Sequence, residues 1–183
     1  MHRGLGTRSP AGALRPGGAG AWRRCVACLL LCLVGFGTAH AAGVTAVPRV
    51  QDLQALGREA RARGLPILLA FMASDCAYCE TVEEDFLVPM LISGDYDDRV
   101  LIRKVVIDGN AWLRDFDGRR IDPEDLARRY GVRMTPTLLF LDPGGREIAE
   151  RMVGLTTPDF YGGYIDAGIA QARRHLHGSQ PSS

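Results

Sequence analysis

The chain has 183 residues, 46% hydrophobic and 23% charged, a length and balance that suit one globular domain with appendages. Its formal charge of +1 hides an asymmetry: residues 1–41 carry five Arg and no acid, so 17 basic against 21 acidic side chains leave the rest of the chain at −4. That balance excludes the basic footprint of a nucleic-acid binder or of an anionic-membrane binder.

In chain order, residues 1–41 read as an export signal. Arg23 and Arg24 close a positive region, Cys25 to Phe36 is an apolar run of 12 residues, and Ala39-His40-Ala41 places small residues ahead of a cut before Ala42. The run is shorter than the roughly 17–25 residues that span a bilayer. We therefore expect a cleaved signal for general secretion, with an uncleaved N-terminal anchor or acylation at Cys32 as the alternatives. Cys25, Cys28 and Cys32 fall in this segment as small apolar residues. The mature chain then keeps Cys76 and Cys79, in a compartment where disulfides persist.

Val50, Leu53, Leu56 and Ala60 recur at helical spacing, which predicts a helix over about 50–63 closed by Gly64. Pro66 opens "ILLAFM", a continuous apolar run suited to a strand covered on both faces. The next helix starts at about Ala77, with Tyr78, Val82 and Phe86 on one face and Pro89 ending or kinking it. "RVLIRKVVID" reads as a second buried strand; its Lys104 is the chain's only lysine, taken as a matter of composition. Asp122 suits a helix cap, Pro123 a first helical position and Gly131 a left-handed stop. "TPTLLFLD", a "DPGG" turn and "REIAERMVG" read as a hairpin. Thr157-Pro158-Asp159 starts the last helix, expected to bury Phe160, Tyr164, Ile169 and Ala172. The order α-β-α-β-α-β-β-α gives parallel strands through helical crossovers and an antiparallel hairpin at the end. The folded domain is placed at residues 42–177, with 178–183 as a flexible tail.

"SDCAYCETV" falls between a buried strand and the helix it feeds, at the carboxyl edge of the sheet where α/β proteins hold their sites. Cys76 there meets the unpaired N–H groups and positive dipole end of the helix, which favour a thiolate. Cys79 stands a turn further on and more sheltered. The spacing alone fits a redox pair, half a metal site or a structural staple. Zinc needs two more ligands, and after cleavage only His175 and His177 remain, two apart on a helix and facing different ways. Haem attachment would need a His where Glu80 stands. The link from Asp108 to Asp122, "DGNAWLRDFDGRRID", exceeds the roughly 2–6 residues of an ordinary βα loop. It leaves the same sheet edge as Cys76. Its Trp112 and Phe116 either pin the insertion to the body, or Trp112 forms part of a rim where a partner docks.

These features together resemble the thioredoxin superfamily over about residues 48–175, through "ILLAFMASDCAYC", "GVRMTPTLLFLDPGGREI" and the terminal helix. The resemblance implies an α/β thioredoxin-like fold: a central mixed sheet with parallel strands and a C-terminal antiparallel hairpin, flanked by helices. C-x-Y-C followed by acids is similar to the exported thioredoxin-like proteins of bacterial sulfur oxidation, the SoxW type. It is also similar to exported reductases supplied with electrons by membrane thiol carriers. From this we expect a periplasmic thiol–disulfide oxidoreductase, in sulfur oxidation or cytochrome maturation, that reduces protein disulfides, draws on a membrane thiol donor and acts as a monomer. Cys76 would attack and Cys79 resolve, the two forming a disulfide when oxidised. Thr135–Pro136 would be a cis peptide facing them, and Thr135, Pro136 and Tyr78 would bound the substrate groove. No cofactor is expected, because the dithiol itself carries two electrons.

Three departures from thioredoxin proper stand out. Asp75 replaces its Trp before the first Cys and opposes a thiolate at Cys76, Ala77-Tyr78 replaces Gly-Pro, and Ala70 stands where its buried acid lies. Glu80, Glu83 or water would have to substitute for that acid in proton transfer, unless the two glutamates belong to a solvated charged face. The competing function is a binding module on the same fold with an inert Cys76–Cys79 disulfide.

Overall fold

The computed structural model describes residues 44–178; the expected export signal with its three cysteines and residues 179–183 of the tail lie outside the described residues. The elements run α1 (Leu53–Arg63), β1 (Ile67–Met72), α2 (Ala77–Val82), α3 (Val88–Ser93), β2 (Leu101–Val106), β3 (Leu113–Arg114), β4 (Arg120–Ile121), α4 (Pro123–Arg129), β5 (Thr137–Leu141), β6 (Met152–Val153) and α5 (Tyr161–Gly178).

Every residue of β1 is buried. The period of two explains how an unbroken apolar run serves two cores. Leu68, Ala70 and Met72 join Val82, Leu87, Ile165 and Ile169 on one face, while Ile67, Leu69 and Phe71 join Leu53, Leu56, Ala60 and Leu126 on the other. Thus α2, α3 and α5 cover one side of the sheet, and α1 and α4 the other. The strand order is β2-β1-β5-β6. β2 lies parallel to β1, with Ile67 opposite Leu101 and Ala70 opposite Lys104. β5 runs antiparallel to β1, and β6 antiparallel to β5. The sheet is mixed: β1–β2 is the parallel pair among its named strands, and Arg49 adds an isolated parallel bridge to Lys104 on the outer side of β2.

Caps mark the helices where local chemistry requires them. Asp52 accepts the Ala55 N–H at 2.7 Å, and Asp122 accepts that of Glu124 at 2.9 Å. Gly64 and Gly131 take φ of +65° at the two stops. Pro89 does not end its helix. A π-turn over Glu83–Leu87, with the Val88 N–H bonded to the Glu83 carbonyl five residues back, joins α2 to α3 and carries the chain to Ser93. The widened turn makes room for a ring that has no N–H to give. The packed face of this helix also differs from the expected one. Cys79, Val82, Leu87 and Met90 are buried, Phe86 is half-buried, and Tyr78 is exposed.

The C-terminal third brings two further corrections. The second hairpin strand is interrupted: Ile148 bonds Phe140 and Met152 faces Leu138, so Ala149–Arg151 bulge out opposite the single residue Leu139. The last helix begins later than expected, because Pro158–Phe160 form a 3-10 turn. That delay rotates the buried stripe to Tyr161, Ile165, Ile169 and Ala172 and leaves Phe160 and Tyr164 exposed. The stripe packs closely because Gly168 lets the helix approach Phe140; a Cβ there would lie 2.3 Å from the ring. The helix includes Gly178, where the flexible tail was expected to begin.

Tyr161 supplies an alkaline prediction. Burial pushes its phenol up to about 12, and its hydroxyl donates to the Gly154 carbonyl at 3.2 Å. A raised folded value leaves stability intact below about 10, where the unfolded phenol begins to ionise, and removes it as pH rises toward 12. Tyr161→Phe should flatten this loss, by roughly 2 kcal/mol between those limits. Urea unfolding across that pH range checks it.

Candidate active site

β1 ends at Met72, and the chain turns through Ser74 and Asp75 to place Cys76 as the N-cap of α2, in extended conformation. Its sulfur accepts the Cys79 N–H at 3.2 Å, and its carbonyl accepts from Cys79 and Glu80 at 2.9 and 3.1 Å. The Cys79 N–H is thus shared between the carbonyl and the sulfur of Cys76, and its share at the sulfur favours negative charge there. Cys76 and Cys79 form a disulfide, their Cα atoms 5.2 Å apart. The two ends differ in access. Cys76 is half-buried, whereas Cys79 is 3% exposed and belongs to the core that holds Ala70, Met72 and Val82.

The peptide Thr135–Pro136 is cis and lies against Cys76. The Thr135 hydroxyl donates to the Cys76 sulfur at 3.6 Å, and the Thr135 carbonyl lies 3.8 Å from it. In the disulfide that sulfur has no hydrogen to give, so the carbonyl approach is a contact. β5 begins only at Thr137, so the backbone at Thr135 stands outside the ladder beside the reachable sulfur. Pro136 is held from behind by the Gly154 N–H on its carbonyl at 2.8 Å. Tyr78, on the first turn of α2, is 65% exposed. Met134, just before Thr135, is exposed as well.

Ala70, six residues before Cys76, is fully buried, and its neighbour across the parallel pair is Lys104. Lys104 donates to both carboxylate oxygens of Glu83, at 2.5 and 2.6 Å, and Glu83 also accepts the Val47 N–H at 2.8 Å. The two side chains are 12% and 16% exposed. Glu83 thus departs from a solvated face, and Lys104 has a specific partner rather than a compositional role. Glu83 lies one helical turn after Cys79 and bonds its carbonyl through the backbone. Glu80 and Asp75 are exposed. Sequence reasoning passed over Lys104, although a solitary lysine in a chain that otherwise uses arginine was a signal.

It also passed over Asp108. Its carboxylate accepts the Ser74 N–H at 3.0 Å and the Ser74 hydroxyl at 3.1 Å, tying the turn before Cys76 to the start of the insertion. The bond from the Ser74 N–H, ahead of the Ser74 hydroxyl and the Arg49 charge, holds this carboxyl below its ordinary range.

The insertion forms the short hairpin β3–β4. Leu113, Ile121 and the Asp115 carboxylate are buried, and Asp115 pairs with Arg129. The Phe116 ring packs on Gly57 and Gly145. Phe116 therefore pins the insertion, while Trp112 is 56% exposed with the Arg120 guanidinium 5.3 Å from its ring centre.

A mixed sheet between helical layers, with a disulfide at the carboxyl end of β1 and a cis X–Pro against its outer sulfur, defines an α/β dithiol protein. A model of the thioredoxin-like domain matches residues 53–168, and the chain belongs to that family. It is 31% identical over 140 residues to the thiol:disulfide interchange protein DsbD of Salmonella paratyphi A, and equally so to that of Salmonella typhi. The match takes in 75% of this chain, and the chain spans about a fifth (20%) of the length of those relatives. Among solved structures it is similar to Fasciola hepatica thioredoxin, at 20% identity and TM-score 0.46, covering 70% of this chain and 99% of that one. It is also similar to oxidised thioredoxin O2 of Arabidopsis thaliana, at 20% identity and TM-score 0.43, covering 67% and 94%. Among the described residues no helix is long and apolar enough to cross a membrane.

Proposed function

We propose that the protein is an exported thiol–disulfide oxidoreductase that reduces protein disulfides in the periplasm. The observation that carries this is the asymmetry of the pair: a reachable sulfur at a helix N-terminus, backed by a resolving sulfur that is 3% exposed. The name of the matched relatives, thiol:disulfide interchange protein, supports the same chemistry. In the reduced protein the Cys76 thiolate attacks one sulfur of a substrate disulfide and releases the other as a thiolate. Cys79 then gives up its proton and attacks the Cys76 sulfur, which releases the second substrate thiolate. Two electrons pass to the substrate, and Cys76–Cys79 is left oxidised. No cofactor takes part, and a membrane thiol donor returns the two electrons.

The remaining site residues take roles around this exchange. An extended substrate pairs with the backbone at Thr135, as an added strand would, with Pro136 and Tyr78 as walls of the groove. With Ala70 in place of the usual acid, Glu83 is the group that receives the Cys79 proton; Asp75 and exposed Glu80 tune the charge around Cys76. The protein acts as a monomer. The C-x-Y-C sequence followed by acids supports a SoxW-type role in sulfur oxidation, with cytochrome maturation as the neighbouring process.

Insulin reduction tests the proposal. The protein, recycled by a chemical thiol, should precipitate insulin chains, and Cys76→Ser should bring the rate to background. A protein that exchanges with neither insulin nor a reduced, refolding substrate overturns it. A reductase should poise its pair near about −270 mV, and a value near about −120 mV would reverse the direction.

A further inference from the structure

The insertion has anchors other than Trp112. Leu113 and Ile121 are buried, Asp115 pairs with Arg129, and the Arg114 N–H donates to the Gln51 carbonyl at 2.8 Å. Yet this rigid piece holds out an indole that is 56% exposed, where a residue of that size is ordinarily well covered. Beside the indole is a cavity of about 140 Å³ lined by Arg49, Val106, Gly109, Trp112, Leu113 and Pro123. That is close to the roughly 150 Å³ that takes one benzene-sized group.

The charges around it are uneven. Arg114, Arg119 and Arg129 of this region each pair with a carboxylate, of Asp52, Asp117 and Asp115 respectively. Arg120, stacked on the indole, and Arg49, lining the cavity, form no salt bridge among the described residues. The Arg49 charge reaches Asp108, but that carboxylate is already engaged by Ser74. The platform also leaves the same end of the sheet as the turn that carries Cys76: the Ile107 N–H donates to the Met72 carbonyl at 2.8 Å, and Asp108 holds Ser74.

We infer that Trp112, Arg120 and Arg49 form a docking site for the redox partner, taking an acidic segment with one apolar side chain: the side chain fills the cavity and the carboxylates meet the two arginines. The inference rests on the oxidoreductase reading. A partner held there exchanges faster with Cys76 than its disulfide alone would, and the gain is electrostatic and salt-sensitive.

The test uses mixed disulfides of nitrothiobenzoate with a cysteine peptide, joined by a Gly/Ser spacer to either Asp-Leu-Asp-Glu or Lys-Leu-Lys-Arg. Attack by the Cys76 thiolate on the peptide sulfur releases coloured nitrothiobenzoate thiolate, read by stopped flow. The acidic tail should react about fivefold faster than the basic one at low salt. The ratio should fall toward one at about 0.5 M salt, in Arg49→Gln/Arg120→Gln and in Trp112→Ala. Equal rates for both tails, or a ratio that survives the arginine substitutions, overturns the site. Self-association that is lost in Trp112→Ala, with no preference between tails, overturns it in favour of a second copy of this chain. An untailed glutathione–nitrothiobenzoate disulfide separates the two layers: if Cys76 does not react with it, the oxidoreductase reading fails, and if it reacts while tails make no difference, only the docking site fails.

Discussion

Cys79→Ser is expected to trap the protein's partners as mixed disulfides through Cys76. The outer sulfur keeps its place at the head of α2, with Thr135 beside it, so attack on a substrate disulfide proceeds. What is lost is the second attack. Cys79 is held with its Cα 5.2 Å from that of Cys76 and is shielded from solvent, so it competes as a built-in nucleophile. Positioned intramolecular groups act at effective concentrations far above millimolar, so release by external millimolar thiol should be slower by roughly 10³-fold or more. Adducts sensitive to reductant should therefore accumulate on non-reducing gels from cells carrying Cys79→Ser, and none from Cys76→Ser. An inert staple gives a different result: neither variant forms adducts, and both lose stability alike because each loses the same cross-link. That outcome would move the protein to the binding-module class.

The dithiol and its setting were legible in the sequence because they depend on local chemistry. An unbroken apolar run predicted a strand covered on both faces, and β1 is buried throughout. A cap, a proline and a glycine predicted α4 nearly to the residue, since each satisfies or removes a terminal backbone group. What failed depended on tertiary partners. Phe160 and Tyr164 suited a helical stripe as well as Tyr161 and Ile165 do, and only the 3-10 turn and the close approach at Gly168 select the latter. Pro89 predicted an end or a kink; the helix does not end there, and the irregularity is a π-turn one step upstream. Glu83 and Lys104 are 21 residues apart, and no spacing rule joins a helix to the far strand of a parallel pair. The register that sets Lys104 beside Ala70 appears only when the sheet is assembled. Asp108 is hidden for the same reason, since its partner Ser74 lies 34 residues away.

Glu83→Gln and Lys104→Met should each destabilise the protein, and the double substitution should cost less than their sum. Both side chains are mostly withdrawn from water, so removing one leaves the other charge poorly paired in the core. For a buried pair that loss is about 3–5 kcal/mol, and the residual exposure of 12% and 16% places this one toward the lower figure. Removing both charges relieves the unpaired partner, so the cycle should show a coupling of about 1–3 kcal/mol, measured by urea unfolding of the oxidised protein. Stability alone does not separate a strut from a proton acceptor, because both roles predict the same unfolding curves. The resolving step does separate them. Ala70 is fully buried and apolar, and under the proposed mechanism the Glu83 carboxylate, one turn beyond Cys79, takes the proton that an acid at position 70 would otherwise accept. Glu83→Gln keeps the shape and can still hydrogen-bond Lys104 but cannot take a proton. Release of a pre-formed Cys76 mixed disulfide should then slow by about 10²-fold, with the pH profile of that step displaced. Lys104→Met keeps the carboxylate and should retain most of the rate while losing comparable stability. If both variants lose stability and neither alters the rate or pH profile of release, Glu83 is a strut, and the proton leaves Cys79 by water.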